Sequence, residues 1–141
     1  MDKDCIFCKI VSGEIPSTKI FEDEKLLAFM DTKPINEGHV LVIPKTHSEL
    51  IDQVEESKVG EMFKLARKIN LAIRKSGVRC EGVDYFLADG EDAGQEVPHT
   101  HLHVFPRFKG DGFGFKFPVG YDKLPARAEL EKVADKIKRQ L

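Results

Sequence analysis

The chain reads as an α+β domain built on a mostly antiparallel sheet, with one long helix and a second helix at the C-terminus, and three observations predict it. Residues 57–76 carry a sustained helical repeat of apolar residues, and the stretch beyond Pro118 carries another. Four short segments have apolar, β-prone centres. These segments are not separated by regular helical stretches, as the strands of a parallel α/β sheet would be. A length of 141 residues suits a single core.

The first two strand segments are LLAFMD at 26–31 and HVLVIP at 39–44. In the helix that follows, Val59, Met62, Phe63, Ala66, Ile69 and Ile73 recur at helical spacing, and Ser76-Gly77 supplies the stop. The remaining strands are VDYFLA at 83–88 and THLHVF at 100–105, with Pro44 and Pro106 ending the second and fourth. Past about Phe117 the composition changes, which divides residues 1–117, the main domain, from 118–141, a loop and helix packed on or beside it. Pro125 opens that last helix, and Leu130, Val133, Ala134, Ile137 and Leu141 share one face of it.

Charge and composition narrow the function classes. With hydrophobic residues at 41% and charged residues at 33%, the sequence is that of an ordinary soluble domain. A net charge of -2 lacks the basic footprint of duplex binding, so no nucleic-acid partner is expected. The start MDKDCIFCKI is not a secretory signal, and no apolar run reaches membrane-spanning length; the expected location is the cytoplasm, with no membrane partner. Three cysteines argue for reduced thiols or thiolate metal ligands at Cys5 and Cys8, and for a packing role at Cys80.

Three of the five histidines lie in PHTHLHVFPR, residues 98–107. In a strand, His99, His101 and His103 share one face, roughly 6.5 Å apart, while Thr100, Leu102 and Val104 take the other. Clustered imidazoles repel when protonated and need partners when buried, which argues against a purely structural row. Spacing alone leaves two chemistries open, a metal site and catalysis on an anion.

PHTHLHVF follows a His-x-His-x-His-x-x pattern with small or apolar residues between the histidines. Together with CIFCKIVSGEIPS, FEDEKLLAFMD, GHVLVIPKTH and the longer AGQEVPHTHLHVFPR, in that order from about residue 5 to 117, it makes the chain resemble the histidine triad (HIT) family of nucleotide hydrolases and transferases. The Hint branch and its bacterial homologues are the most similar. The resemblance implies a HIT-like fold whose sheet continues across a homodimer, with Phe113, Phe115 and Phe117 toward the partner. It implies a purine nucleotide ligand, AMP or an AMP conjugate, cleaved at a P–N or P–O bond of the α-phosphate through a covalent nucleotidyl-histidine. His101 would be the nucleophile, its other nitrogen bonded to the His99 carbonyl. His103 and His39 would hold phosphate oxygens, Gly94 and Gln95 would add contacts there, and Asp31 would bind the ribose. Cys5, Cys8, His47 and His99 would hold a structural Zn²⁺, and no organic cofactor is implied.

Two departures from the family pattern bear on substrate choice. Glu96 stands where a hydroxyl residue is common, and either turns away from phosphate or acts as a general acid. Ala88-Asp89 replaces an Asn-containing pair. Arg107 and Lys109 offer local positive potential or scattered surface charge. Three other functions fit the same residues: a nucleotide-binding interaction module, a nucleotidyltransferase, and a metal-dependent hydrolase with an open site at His39, His101 and His103.

Overall fold

The structure is a computed structural model describing residues 2–141. Contacts divide the chain into two compact units, one ending at Asp111 and the other Gly112–Leu141. The first opens with helix α1, Ile6–Ser12, followed by strands β1, Lys19–Glu22, β2, Leu26–Met30, and β3, Val40–Pro44. Helix α2, Glu56–Lys75, leads to β4, Gly82–Phe86, and β5, Leu102–Arg107. The five strands form one sheet in the order β1-β2-β3-β5-β4, every neighbouring pair antiparallel. The expected α+β class and antiparallel sheet are what the chain adopts. Among the described residues no helix is long and apolar enough to cross a membrane.

Both faces of the central strands are covered, which is why β2 and β3 are apolar throughout and do not alternate. On one face Met62, Leu65, Ala66, Ile69 and Ile73 of α2 meet Leu26, Ala28, Val40, Val42, Leu102 and Val104. On the other, Cys5, Phe7, Cys8 and Ile10 meet Leu27, Phe29, Leu41 and Ile43. Leu65 thus belongs to the buried stripe of α2, whereas Phe63, expected there, is 45% exposed. Residues 62, 65, 66, 69 and 73 keep a spacing of three or four, and Phe63 falls about 100° off that stripe.

Two short elements had no clear sequence signal. Helix α1 is only seven residues long; the Cys5 sulfur caps it by accepting from the Cys8 N–H, and Gly13 at φ +81° ends it. Strand β1 is an exposed edge with an irregular register near Lys19 and Phe21, so it shows no apolar alternation.

Strand β5 starts two residues later than expected and runs past Pro106 to Arg107. It starts late because the Thr100 N–H bonds to the Ser48 carbonyl, outside the sheet. Pro106 is tolerated because β3 pairs with β5 only as far as Val104, and the Pro106 carbonyl is turned to Asn36. In an extended strand the N–H and C=O of a residue point the same way, so the missing proline donor costs no ladder bond.

The second unit holds helix α3, Arg127–Lys138, along which Leu130, Val133 and Ile137 are each more than half exposed. Ahead of it, the rings of Phe117 and Tyr121 stack with centroids 4.1 Å apart.

Candidate active site and metal centre

Of the three clustered histidines only His103 lies within β5; opposite Leu41 on β3 and Phe86 on β4, it takes the face away from α2. His99 and His101 belong to the irregular segment leading into the strand, yet their rings continue the row. The His101 and His103 ring centroids are 4.9 Å apart, and Phe7 meets His99 and His101 edge-on at 5.8 and 5.2 Å. His39, His99 and His101 are buried, and His103 is half-buried.

The partners assign a tautomer to each ring. A carbonyl only accepts, so His101 donates its Nδ1–H to the His99 oxygen at 2.7 Å, which leaves Nε2 with a lone pair. His39 Nδ1 accepts from the Ile35 N–H at 3.0 Å, so its proton is on Nε2, 2.9 Å from His103 Nδ1. His103 then accepts at Nδ1 and carries its own proton on Nε2. Two adjacent imidazoles therefore offer opposite functions, a lone pair on His101 and a donor on His103.

Burial keeps these rings neutral. It pushes His103 down to about 4, with help from neighbouring His101 and His39. Burial also lowers His101 against the opposing His99 carbonyl, Asp31 and Glu96, and lowers His39 against Asp31. A neutral imidazole is the form that can attack phosphorus.

Asp31 stands beside this pair, its Oδ2 3.6 Å from His39 Nε2 and its Oδ1 accepting the Lys33 N–H. Gly94, at φ +89°, closes the turn that begins at Glu91. The Gln95 side chain is committed to backbone: it accepts from Gly90 N–H and donates to the carbonyls of Glu49 and Val97. Glu96 is exposed, but its charge reaches His101. Asp89 accepts from Ile51 N–H and ties the loop after β4 to residues 51–53. Arg107, considered above as a source of positive potential, is instead clamped by Asp111 and Asp84.

On the other side of His101, four potential metal ligands converge. Cys5, Cys8, His47 and His99 have all their donor atoms within 4.8 Å of one another. The Cys5 sulfur is 3.5 Å and the Cys8 sulfur 3.8 Å from His99 Nδ1, and Cys8 is 3.4 Å from His47 Nδ1. Tetrahedral zinc with ordinary Zn–S and Zn–N bonds has a sulfur-to-nitrogen edge of about 3.5 Å, so the donor set fits that ion in chemistry and in size. His99 donates Nε2–H to the Pro44 carbonyl at 2.8 Å, the outer bond that turns a ligating nitrogen inward. Burial pushes the Cys5 thiol up and His99 down to about 4.

Asp31, His39 and His103 also cluster. The open three-histidine site is not what forms there, since His101 is outside the group and the facing nitrogens of His39 and His103 are hydrogen-bonded to each other. Sequence reasoning missed two backbone partners, the Ile35 N–H and the Pro44 carbonyl, whereas the His99 carbonyl was anticipated by resemblance. It also missed Phe7 as a packing surface for the two rings.

The HIT domain family matches residues 12–110. "Protein hit" of Bacillus subtilis is 40% identical, covering 99% of this chain and 95% of the relative. Adenosine 5'-monophosphoramidase HNT1 of Candida albicans is 33% identical over 97% of this chain and 91% of the relative, and adenylylsulfatase HINT3 of Arabidopsis thaliana is 33% identical over 100% and 71%. Among solved structures, a HIT family protein from Bacillus subtilis superposes with a TM-score of 0.88 at 40% identity, covering 99% of this chain and 98% of that one. A Zn-bound histidine triad family protein from Mycobacterium smegmatis gives 0.75 at 36% identity, with 98% of each chain covered. A family match across most of the length, joined to a relative 40% identical from end to end, means that this chain belongs to the HIT domain family.

Proposed function

We propose that this protein is a nucleotide hydrolase acting at the α-phosphate of AMP-linked substrates. The observation that carries the proposal is the His101 tautomer: Nδ1–H is held by the His99 carbonyl, and Nε2 is left as a lone pair beside the His103 donor. His101 Nε2 attacks the α-phosphorus, the bond from phosphorus to the leaving nitrogen or oxygen breaks, and a nucleotidyl-His101 intermediate forms. Water then attacks the same phosphorus, releases the nucleotide and restores the imidazole. His103, backed by His39, donates to phosphate oxygens as charge builds on them. Asp31 accepts from the ribose hydroxyls, and Gly94 with Gln95 bounds the phosphate end, Gln95 exchanging one backbone partner for a phosphate oxygen. The relatives that act on adenosine phosphoramidate and adenylyl sulfate support an adenylyl group as the part retained.

Cys5, Cys8, His47 and His99 would hold the zinc. Four protein ligands close its coordination, so when bound it supplies structural cross-linking of the N-terminus to the triad segment. The active unit proposed is a cytoplasmic homodimer with no organic cofactor.

Turnover of adenosine 5′-phosphoramidate and diadenosine tetraphosphate by wild type and His101→Ala, with products resolved by chromatography, tests the proposal. Wild type should release AMP and the variant should not. Saturable AMP binding by a wild-type chain that turns over neither compound would replace hydrolysis with a binding role or with transfer to another acceptor.

A further inference from the structure

His39 is the second residue in a line of protons that ends at His103, and the line starts from a backbone N–H. Ile35 belongs to the turn Pro34-Ile35-Asn36-Glu37-Gly38, which closes when His39 N–H bonds to the Asn36 carbonyl at 3.1 Å. Two features outside the turn hold it. Gly38 adopts φ +94°, where an added Cβ would lie 3.1 Å from Val78 Cγ1 and 3.4 Å from Pro106 Cγ, so the turn is packed tightly against its neighbours. The half-buried Asn36 spends both amide hydrogens across the gap to β5, on the Pro106 carbonyl at 2.9 Å and on Asp111 Oδ2 at 2.9 Å.

Asp111 is well placed to anchor Asn36. Its side chain is only 4% exposed, and both of its oxygens are held by the Arg107 guanidinium, Oδ1 from Nη2 at 3.0 Å and Oδ2 from Nε. Arg107 reaches Asp84 on β4 with its remaining nitrogen, Nη1, at 2.7 Å, a contact separate from the fork on Asp111. A planar fork on a carboxylate fixes direction as well as distance. The Asp111 oxygen that receives Asn36 is therefore not free to turn.

We propose that Asn36 and Asp111 are positioning residues that set the tautomer of the His39 and His103 pair through the 34–38 turn. With Ile35 N–H aimed at His39 Nδ1, the proton of His39 must sit on Nε2, and His103 must then carry its proton on the outward Nε2. If the turn slackens, the shared hydrogen bond reverses: His103 donates from Nδ1 to His39 Nε2, and the outward nitrogen of His103 becomes a lone pair. A lone pair repels a phosphate oxygen where a donor would hold it. The catalytic consequence rests on the hydrolase reading above, whereas the tautomer itself does not.

The test is two-bond proton–nitrogen NMR of the imidazoles in the full-length, ligand-free, zinc-replete chain at about pH 8, above the imidazole range. Wild type should show His39 and His103 as Nε2–H and His101 as Nδ1–H. In Asn36→Ala the His39 and His103 signals should move toward mixed tautomers while His101 stays as it is. The kcat of that variant should fall about fivefold with KM little changed, fivefold being the bias that one ordinary net hydrogen bond sustains. Asp84→Asn, which leaves the Asp111 fork in place, should move none of the three. Should Asn36→Ala fail to fold, Asn36→Ser gives the same readout. Unmoved His39 and His103 tautomers in a folded Asn36 variant, or a wild-type His39 protonated on Nδ1, overturns the inference, as does an equal response to Asp84→Asn. A wild-type chain without turnover counts against the hydrolase reading and leaves the spectra to decide this one.

Discussion

Replacing Gly38 by alanine is the sharpest test of how His39 is held. The residue sits at φ +94°, a region in which an L side chain costs about 1–2 kcal/mol. Its new methyl would also stand 3.1 Å from Val78 Cγ1 and 3.4 Å from Pro106 Cγ. The Pro106 ring is tied into β5, so relief must come from Val78 or from the turn itself, and overpacking of that size adds about 1 kcal/mol. The two contributions give about 2–3 kcal/mol. For the unit that ends at Asp111, an unfolding entropy of about 2.1 cal/mol/K per residue converts this to a fall in Tm of about 10 °C. Circular dichroism melts supply the measurement and Gly13→Ala the comparison, because Gly13 has φ +81° with nothing within 4 Å of an added Cβ. If Gly38→Ala melts no lower than Gly13→Ala, the contact argument is wrong. If both melt with wild type, the backbone argument fails with it.

Three other outcomes are expected. The purified chain should carry one zinc per chain by elemental analysis, and Cys8→Ser should lose it; pre-equilibration with a chelator should lower the unfolding midpoint, since metal binding free energy is folding free energy. Acid should destabilise the fold: His103 is depressed to about 4 from 6.5, so the stability it contributes is fully present above 6.5 and is lost as pH falls toward 4. Urea unfolding against pH should show that slope, and His103→Asn should make it shallower. Glu96→Ser removes a negative charge that raises the His101 pKa, so KM for anionic substrates should fall severalfold while kcat holds. A large kcat loss in that variant, confined to one limb of the pH profile, would instead assign Glu96 a proton-transfer role.

The long helix, four of the five strands and the antiparallel class were legible because burial imposes a period on the sequence. Where burial is absent the period vanishes, and exposed β1 is the example. Helix α1 escaped for a different reason: seven residues make two turns, too few to separate a helical stripe from a short apolar run, and its ends are fixed by Cys5 and Gly13. The extent of β5 depended on which neighbour each residue faces, and the sequence of β5 alone does not contain that. Among site residues His99, His101, His103 and the Cys5–Cys8 pair stood out by type and spacing, while His39 and His47 were assigned roles only through the family resemblance. The groups that orient them did not, because Ile35 contributes an N–H and Pro44 a carbonyl, and any residue has a backbone carbonyl. Arg107 shows the same limit in reverse: its type suggested anion binding, while two carboxylates, Asp111 four residues on and Asp84 on β4, engage it.

His99 joins the two sites in a single residue. Its Nδ1 faces the cysteine sulfurs, its Nε2–H is held by Pro44, and its carbonyl fixes the His101 tautomer. With the ring anchored at both nitrogens, the peptide that follows has little freedom to rotate its carbonyl away from His101. His103 is oriented from the opposite direction, through His39 and the Ile35 N–H. The two neighbouring imidazoles are thus set by separate hydrogen-bond chains, and that separation lets one present a lone pair while the other presents a proton 4.9 Å away between ring centres. A direct hydrogen bond between them would have forced the two roles to exchange together, so a substitution in the 34–38 turn should alter the donor and leave the nucleophile, and damage to the cysteine pair should do the reverse.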